Sequence, residues 1–247
     1  MFYYAWIFLF GLIVGSFLNA VIYRLDSGES IVKSRSHCPK CGHVLAWYEL
    51  VPIFSFVIQG GKCRECKSNI SWQYPLVELA TAILFVLVLH HNLPLLYTLT
   101  ISSLLIVIFV YDLKHYIIPD KIIYPAILVS GIFVWQHTTY NIQYTIYAAI
   151  GASVFFAAMF FASRGKWMGF GDVKLAFFMG LFLGWPDILV GLFAAFMLGG
   201  IIGMGLIAYG KKTMKSQVPF GPFLVTGTFI AMFLGDKITE WYLSLFI

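Results

Sequence analysis

Two short stretches, Tyr111-Asp112-Leu113-Lys114-His115-Tyr116-Ile117-Ile118-Pro119-Asp120 and Gly169-Phe170-Gly171-Asp172-Val173-Lys174, each set an aspartate where a long apolar run meets polar sequence. A carboxylate at the centre of a bilayer costs roughly 2.5–3.5 kcal/mol on insertion scales, so an acid in or at the edge of a span is a candidate functional residue. Asp112 and Asp172 are read here as one catalytic pair.

Composition sets the class around them. The 247 residues are 60% hydrophobic and only 11% charged, with a mean hydropathy of +0.86. So little polar surface cannot close a water-soluble globule of this length. The expected fold is an all-α polytopic membrane protein. Eight apolar runs, near the length of about 20 residues that spans a bilayer, are predicted as transmembrane helices: 2–23, 74–89, 93–111, 117–135, 142–162, 173–185, 188–209 and 220–246. The first lacks the basic start and small-residue cleavage site of a removable signal peptide and is expected to stay as a helix. The chain thereby divides into a first transmembrane helix (1–23), a polar loop (24–73) and a seven-helix core (74–247).

The net charge of +5 does not call for a nucleic acid, because the placement of the cations is a topology signal. Threading eight spans puts the 24–73 loop, Lys114, Lys121, Arg164 to Lys174, and Lys211, Lys212 and Lys215 on one side. Fifteen of the sixteen Lys and Arg residues fall there, leaving Lys237 on the other. The positive-inside rule names that side the cytosol and puts both termini outside. Asp112 and Asp172 then share the cytosolic face of a multi-pass cell-membrane protein, embedded in the lipid bilayer.

The loop carries all four cysteines. Cys38-Pro39-Lys40-Cys41-Gly42 and Cys63-Arg64-Glu65-Cys66 are two C-x2-C knuckles 21 residues apart, close to the spacing of a four-cysteine zinc site. Two intervening residues let one tight turn present both thiolates to a tetrahedral metal. An iron–sulfur centre, a redox pair, two disulfides or four free thiols are the alternatives, and a cytosolic loop argues against disulfides. The expected group is a structural zinc ion held by Cys38, Cys41, Cys63 and Cys66.

The blander readings of the acids are a helix cap for Asp172 and an interfacial carboxylate paired with Lys114 or His115 for Asp112. Against them stands the scarcity of acids, eleven in the chain, with both of these at cytosolic span ends. Hydrolysing a peptide bond without a nucleophilic Ser or Cys needs one carboxylate to activate water and one carboxylic acid to protonate the departing groups. Two carboxylates about 3 Å apart share a proton and supply both roles. Asp172 opens one helix and Asp112 closes another, so helix dipoles favour Asp172 as the resting carboxylate and Asp112 as the resting acid.

These residues also carry a family resemblance. Gly169-Phe170-Gly171-Asp172 resembles the signature of the GxGD intramembrane aspartyl proteases, and Asp112 followed by Ile118-Pro119-Asp120 resembles the partner motif of their bacterial prepilin peptidase branch. Residues 11–24 (GLIVGSFLNAVIYR), both C-x2-C knuckles, Tyr74-Pro75-Leu76-Val77-Glu78-Leu79 and Val218-Pro219-Phe220-Gly221-Pro222-Phe223 match that branch in the same order. The resemblance implies a bifunctional prepilin leader peptidase of type IV pilus, type II secretion or competence-pseudopilus assembly. Such enzymes cut the basic leader from a prepilin or pseudopilin at the cytosolic face of the cell inner membrane, then N-methylate the new terminus from S-adenosylmethionine. It assigns catalysis to Asp112 and Asp172 and associates the cysteine-bearing loop with the methyltransferase form, so both activities are expected. The alternative is a peptidase alone, with a structural zinc domain.

No Gly-rich turn between a strand and a helix marks a site for the methyl donor. Asn19, Arg24, Trp47, Tyr48, Glu49 and Glu78 are candidates near the cytosolic face, Glu78 as an acid that would hold the substrate's new ammonium or, equally, pair with a neighbouring polar group. Gly199, Gly200, Gly203 and Gly205 allow close helix packing or substrate access, packing being the simpler reading. His90, His91 and His137 show no metal-ligand spacing and read as interfacial. A transporter would place paired acids near the midplane and show repeated halves, and a scaffold gives no reason for the two aspartates.

Overall fold

The computed structural model describes residues 2–31, 33–91, 93–136, 142–210 and 218–245. Lipid offers no hydrogen-bond partner to the backbone, so an apolar chain closes its own N–H and C=O groups within each segment. The described residues accordingly form nine α-helices: α1 (Phe2–Ser27), α2 (Phe54–Ile58), α3 (Gln73–Leu87), α4 (Leu95–His115), α5 (Asp120–Gln136), α6 (Ile142–Ala162), α7 (Phe170–Leu183), α8 (Asp187–Ala208) and α9 (Gly221–Ser244). The extended pairing among them is two isolated bridges, His37 with Val44 and Lys62 with Asn69.

The expectation of an all-helical membrane protein holds. Each of the eight predicted apolar runs contains a helix, and five helical stretches are long and apolar enough to cross a membrane: α1, α3 with its continuation to His90, α4, α6 and α8. The unforeseen helix is α2, which lies inside the segment read as a polar loop. Of the sequence-predicted features, Lys211, Lys212, Lys215 and His137 fall outside the described residues.

The chain forms two units, Met1–Val107 and Ile108–Ile247, with the boundary inside α4. In the first, α1 packs on α3 through two glycines. A Cβ at Gly11 would stand 2.6 Å from Ala82 Cα, and one at Gly15 would stand 2.6 Å from Glu78 Cα. Such backbone-to-backbone approach is how helices gain dispersion contact where no hydrophobic effect drives them together.

In the second unit α7 packs against α5, α6, α8 and α9. Its Leu175, Ala176, Phe178 and Met179 are wholly buried. Neighbouring helices thus cover the middle of this 14-residue helix. The glycines that permit close packing here are Gly180, against the backbone of Ala149, and Gly227, against Gly191. Among the α8 glycines singled out in the sequence, Gly199 faces Phe220 and Phe223, whereas Gly200, Gly203 and Gly205 meet nothing within 4 Å among the described residues. Among those residues the expected packing role falls on Gly199.

Replacing Gly180 by Val drives side-chain atoms into the α6 backbone. Overpacking of this kind costs about 1–3 kcal/mol, so Gly180→Val should lower the thermal midpoint of the purified protein in detergent. An unchanged midpoint would contradict the α6–α7 packing.

Candidate active site and metal centre

Asp112 lies on the last turn of α4. That helix ends because Tyr116 adopts a left-handed φ of 58° and returns its N–H to the Asp112 carbonyl at 2.9 Å, an αL type of helix stop. The chain then passes through Ile117, Ile118 and Pro119 into α5. The Asp112 side chain is buried, at 4% exposure, against the start of α9. A Cβ at Gly221 would stand 2.5 Å from Asp112 Oδ2, and the Gly221 backbone N–H is directed at the same carboxylate. Only glycine leaves room for the carboxylate there.

Asp172 comes from the opposite kind of helix end. The sequence reading had Asp172 opening a helix that runs from Val173, with a capping role as the blander alternative, whereas α7 begins at Phe170 with Gly169 as its cap. Asp172 is thus the third helical residue, and its Oδ2 accepts the Gly169 N–H at 3.2 Å. This satisfies one of the amides that a helix start leaves without a partner. Asp172 is 7% exposed.

Ile118 joins the two. A Cβ at Gly171 would stand 3.0 Å from Ile118 Cβ, and one at Gly221 would stand 3.4 Å from Ile118 Cδ1. The starts of α7 and α9 therefore close on the short connection that follows Asp112, which brings Asp112 near enough for its charge to act on Asp172. Lys174 extends the cluster. Its Nζ donates to Asp120 Oδ1 at 2.6 Å and lies 4.9 Å from the Tyr124 ring centroid and 5.6 Å from that of Phe170. It ties the start of α5 to the start of α7.

Two features escaped the sequence reading. Lys174 was counted only for topology, and Gly221 was matched as a motif without a role. The dipole argument for Asp112 counted α4 alone, whereas the amide end of α9 also faces that carboxylate and opposes the effect. Burial of both carboxyl groups, with the charge of Asp112 acting on Asp172, disfavours the doubly ionised state. A pair with one member ionised and the other protonated can accept a proton and donate one, which is the requirement for general acid–base work.

In the first unit the four cysteines converge. Their Sγ atoms all lie within 4.8 Å of one another, with Cys38 to Cys66 at 3.9 Å and Cys41 to Cys63 at 4.0 Å. The two knuckles repeat one design. Gly42 N–H donates to the Cys38 carbonyl and Lys67 N–H to the Cys63 carbonyl, with Gly42 and Lys67 both at positive φ. Hydrogen bonds from the Ser68 hydroxyl and then its backbone amide hold the Cys66 thiol down to about 6. None of the four is in a disulfide. Thiolate is the metal-binding form of cysteine, so the cluster could hold a metal ion.

Of the residues named as methyl-donor candidates, Asn19, Arg24, Glu49 and Glu78 bond the backbone of this unit. Asn19 donates to the Tyr74 carbonyl at 3.0 Å and accepts from Gln73. Arg24 donates to the carbonyls of Ile31 and Ser34 at 2.6 and 2.7 Å, folding the chain back after α1. Glu49 Oε2 accepts the Ala46 N–H, and Glu78 Oε2 accepts the Ile53 N–H at 2.8 Å. Trp47 is exposed, and Tyr48 lies beneath the Arg64 guanidinium.

Comparison with known proteins adds to this geometry. Residues 9–92 match the bacterial peptidase A24 N-terminal domain, and residues 99–204 match the type IV leader peptidase family. A prepilin leader peptidase/N-methyltransferase of Aeromonas salmonicida is 32% identical, the match covering 98% of this chain and 94% of the relative. Its namesake from Bacillus subtilis is 32% identical, covering 97% of each, and that from Pseudomonas aeruginosa is 30% identical, covering 96% and 92%. No solved structure matches the chain significantly.

Because Gly221 leaves space for the Asp112 carboxylate, Gly221→Val should displace that side chain and destabilise the start of α9. The overpacking cost of about 1–3 kcal/mol should appear as a lower thermal midpoint, and Asp112→Ala in the same chain should restore part of it. A midpoint indifferent to both changes would contradict the contact.

Proposed function

The chain belongs to the type IV leader peptidase family, and from that membership we infer that it removes the leader of a prepilin and then N-methylates the new N-terminal residue. The observation that carries the peptidase reading is the burial of Asp112 and Asp172 around Gly221 and Ile118. In this reading the pair shares one proton. The ionised carboxylate takes a proton from water, the water oxygen attacks the scissile carbonyl, and the protonated partner gives its proton to the carbonyl oxygen. On collapse of the tetrahedral gem-diol, the acid that took water's proton gives it to the departing nitrogen and its ionised partner takes a proton from a gem-diol hydroxyl, so the C–N bond breaks and the pair returns to its starting state.

The substrate is a prepilin or pseudopilin, an apolar helix with a basic leader. It would lie laterally in the bilayer and unwind at the cleavage point, because helical peptide bonds are shielded by their own hydrogen bonds. Arg164 and Lys166 lie in the connection after α6, and Lys114, Lys121 and Lys174 sit on the helix ends beside the connections after α4 and α6, which supports a cytosolic site in the inner membrane. It also supports eight crossings, α7 among them. Residues 1–23, 24–73 and 74–247 are then first helix, methyltransferase-associated loop and peptidase core.

Zinc suits the cysteine cluster. Four thiolates around a tetrahedral Zn²⁺ at about 2.3 Å would lie about 3.8 Å apart, and Cys38–Cys66 and Cys41–Cys63 are at 3.9 and 4.0 Å. With four protein ligands the ion has a structural role. S-adenosylmethionine, when bound, supplies an electrophilic methyl group for the new terminal amine. The chain's own contribution is the first unit that Asn19, Arg24 and Glu78 hold together.

Incubating the protein in proteoliposomes with a prepilin and labelled S-adenosylmethionine should give a shortened product that carries label at its N-terminus by mass spectrometry. Asp112→Asn or Asp172→Asn should slow cleavage by roughly 10²- to 10⁴-fold, the usual range for losing a general acid or base. Full cleavage in either variant would overturn the pair, and a shortened product without label would remove the second activity. Metal analysis should find stoichiometric zinc that Cys63→Ser loses, whereas zinc content unchanged in that variant would contradict the assignment.

A further inference from the structure

The polar loop contains a stretch that does not belong to a polar loop. Trp47-Tyr48-Glu49-Leu50-Val51-Pro52-Ile53-Phe54-Ser55-Phe56-Val57-Ile58 holds one charged residue, while the flanking segments carry Lys40, Lys62, Arg64, Glu65 and Lys67. That single charge, Glu49, is buried and bonded to the Ala46 N–H. Phe54, Val57 and Ile58 are 62%, 69% and 79% exposed. Water would be a poor neighbour for three such side chains within five residues, and exposed apolar surface of this kind marks an interaction site.

The depth of this stretch follows from its contacts. At 1.5 Å per residue α1 is about 39 Å long, longer than the hydrocarbon core of about 30 Å, and Gly15 lies at its centre. Gly15 faces Glu78 Cα, and the Glu78 carboxylate accepts the Ile53 N–H at 2.8 Å. Ile53 is thus within one side chain's reach of the midpoint of a membrane-spanning helix. Trp6, Leu9 and Ile13 of α1 form one wall of a cavity of about 690 Å³, and Leu50, Pro52 and Phe54 form the other.

The backbone satisfies the demands of that depth. Ile53 stands at φ 60°, where no regular helix bond is available, and Glu78 supplies the acceptor. Ser55 and Val57 donate to the carbonyls of Val51 and Ile53. Irregular backbone survives at bilayer depth only where such partners exist. At the base of the excursion Cys41 and Cys63 are 4.0 Å apart, closing the ends of the intervening 21 residues. Arg64 lies 5.0 Å from the Tyr48 ring centroid, an aromatic and cationic pairing typical of the interface.

We propose that Trp47–Ile58 is a re-entrant segment that dips into the bilayer beside α1, pinned by Glu78, and that the cavity it forms with α1 holds a phospholipid acyl chain. The apolar lining and its continuity with the lipid-facing surface of α1 favour hydrocarbon as the occupant. Glu78 is a positioning residue in this arrangement, and the inference does not depend on the hydrolytic role of the second unit.

Photocrosslinking in vesicles of phosphatidylethanolamine and phosphatidylglycerol tests it. With p-benzoylphenylalanine at Phe54 or at Val57, mass spectrometry should find adducts on acyl chains, and the same probe at exposed Lys62 should give none. Lack of lipid adducts at both Phe54 and Val57, or equal adducts at Lys62, would overturn the insertion. If added prepilin becomes the crosslinked species and abolishes the lipid adducts, the cavity belongs to the substrate helix and the acyl-chain assignment falls. Glu78→Gln keeps an oxygen that accepts the Ile53 N–H and should keep the adducts, whereas Glu78→Leu should lose the one at Phe54. Loss in both variants would overturn the pin.

Discussion

Hydrocarbon cannot hydrogen-bond to a peptide, and every other feature of this protein follows from that constraint. It makes the apolar runs helical and puts polar chemistry where helices end. A helix start leaves amides without partners and a helix end leaves carbonyls, so the places where a carboxylate can be held are fixed by the places where helices stop. Asp172 meets its own helix start through the Gly169 N–H. Asp112, near the end of α4, meets the start of a different helix at Gly221.

Close approach is the second requirement, and glycine meets it. Gly171 and Gly221 let α7 and α9 close on Ile118, while Gly180 and Gly227 let the helices behind them come together at the backbone. In a water-soluble core large side chains would interdigitate under the hydrophobic effect. Here lipid is as apolar as leucine, so stability comes from packing surfaces that must touch to attract. A carboxyl pair set in such a framework is buried without being flexible, which suits groups whose reactivity depends on staying close.

Much of this was legible in the sequence. Eight apolar runs, the scarcity of acids and the paired C-x2-C knuckles led to a helical membrane protein with one acid pair and one thiol cluster. What was illegible has a physical cause in each case. Hydropathy averaged over the 24–73 segment hid α2, because the charges on either side of Trp47–Ile58 mask twelve mostly apolar residues. A single helix's dipole was assigned to Asp112, since sequence alone does not reveal that α9 begins against α4. Spacing placed small residues along α8, but only the folded chain shows that Gly199 faces a neighbour while Gly200, Gly203 and Gly205 meet none among the described residues. The candidates Asn19, Arg24 and Glu78 were named as polar residues near the cytosolic face, and the folded chain adds that each also bonds the first unit's backbone.

The central claim is that two acidic side chains share one proton and act as a unit. The rate of leader cleavage measured across pH, with vesicles holding the protein and prepilin at subsaturating concentration, tests it most directly. A pair that needs one member ionised and the other protonated predicts a bell-shaped profile whose two limbs belong to the pair as a whole. A profile with a single limb, rising or falling to a plateau, would mean that only one of the acids takes part and would contradict the account.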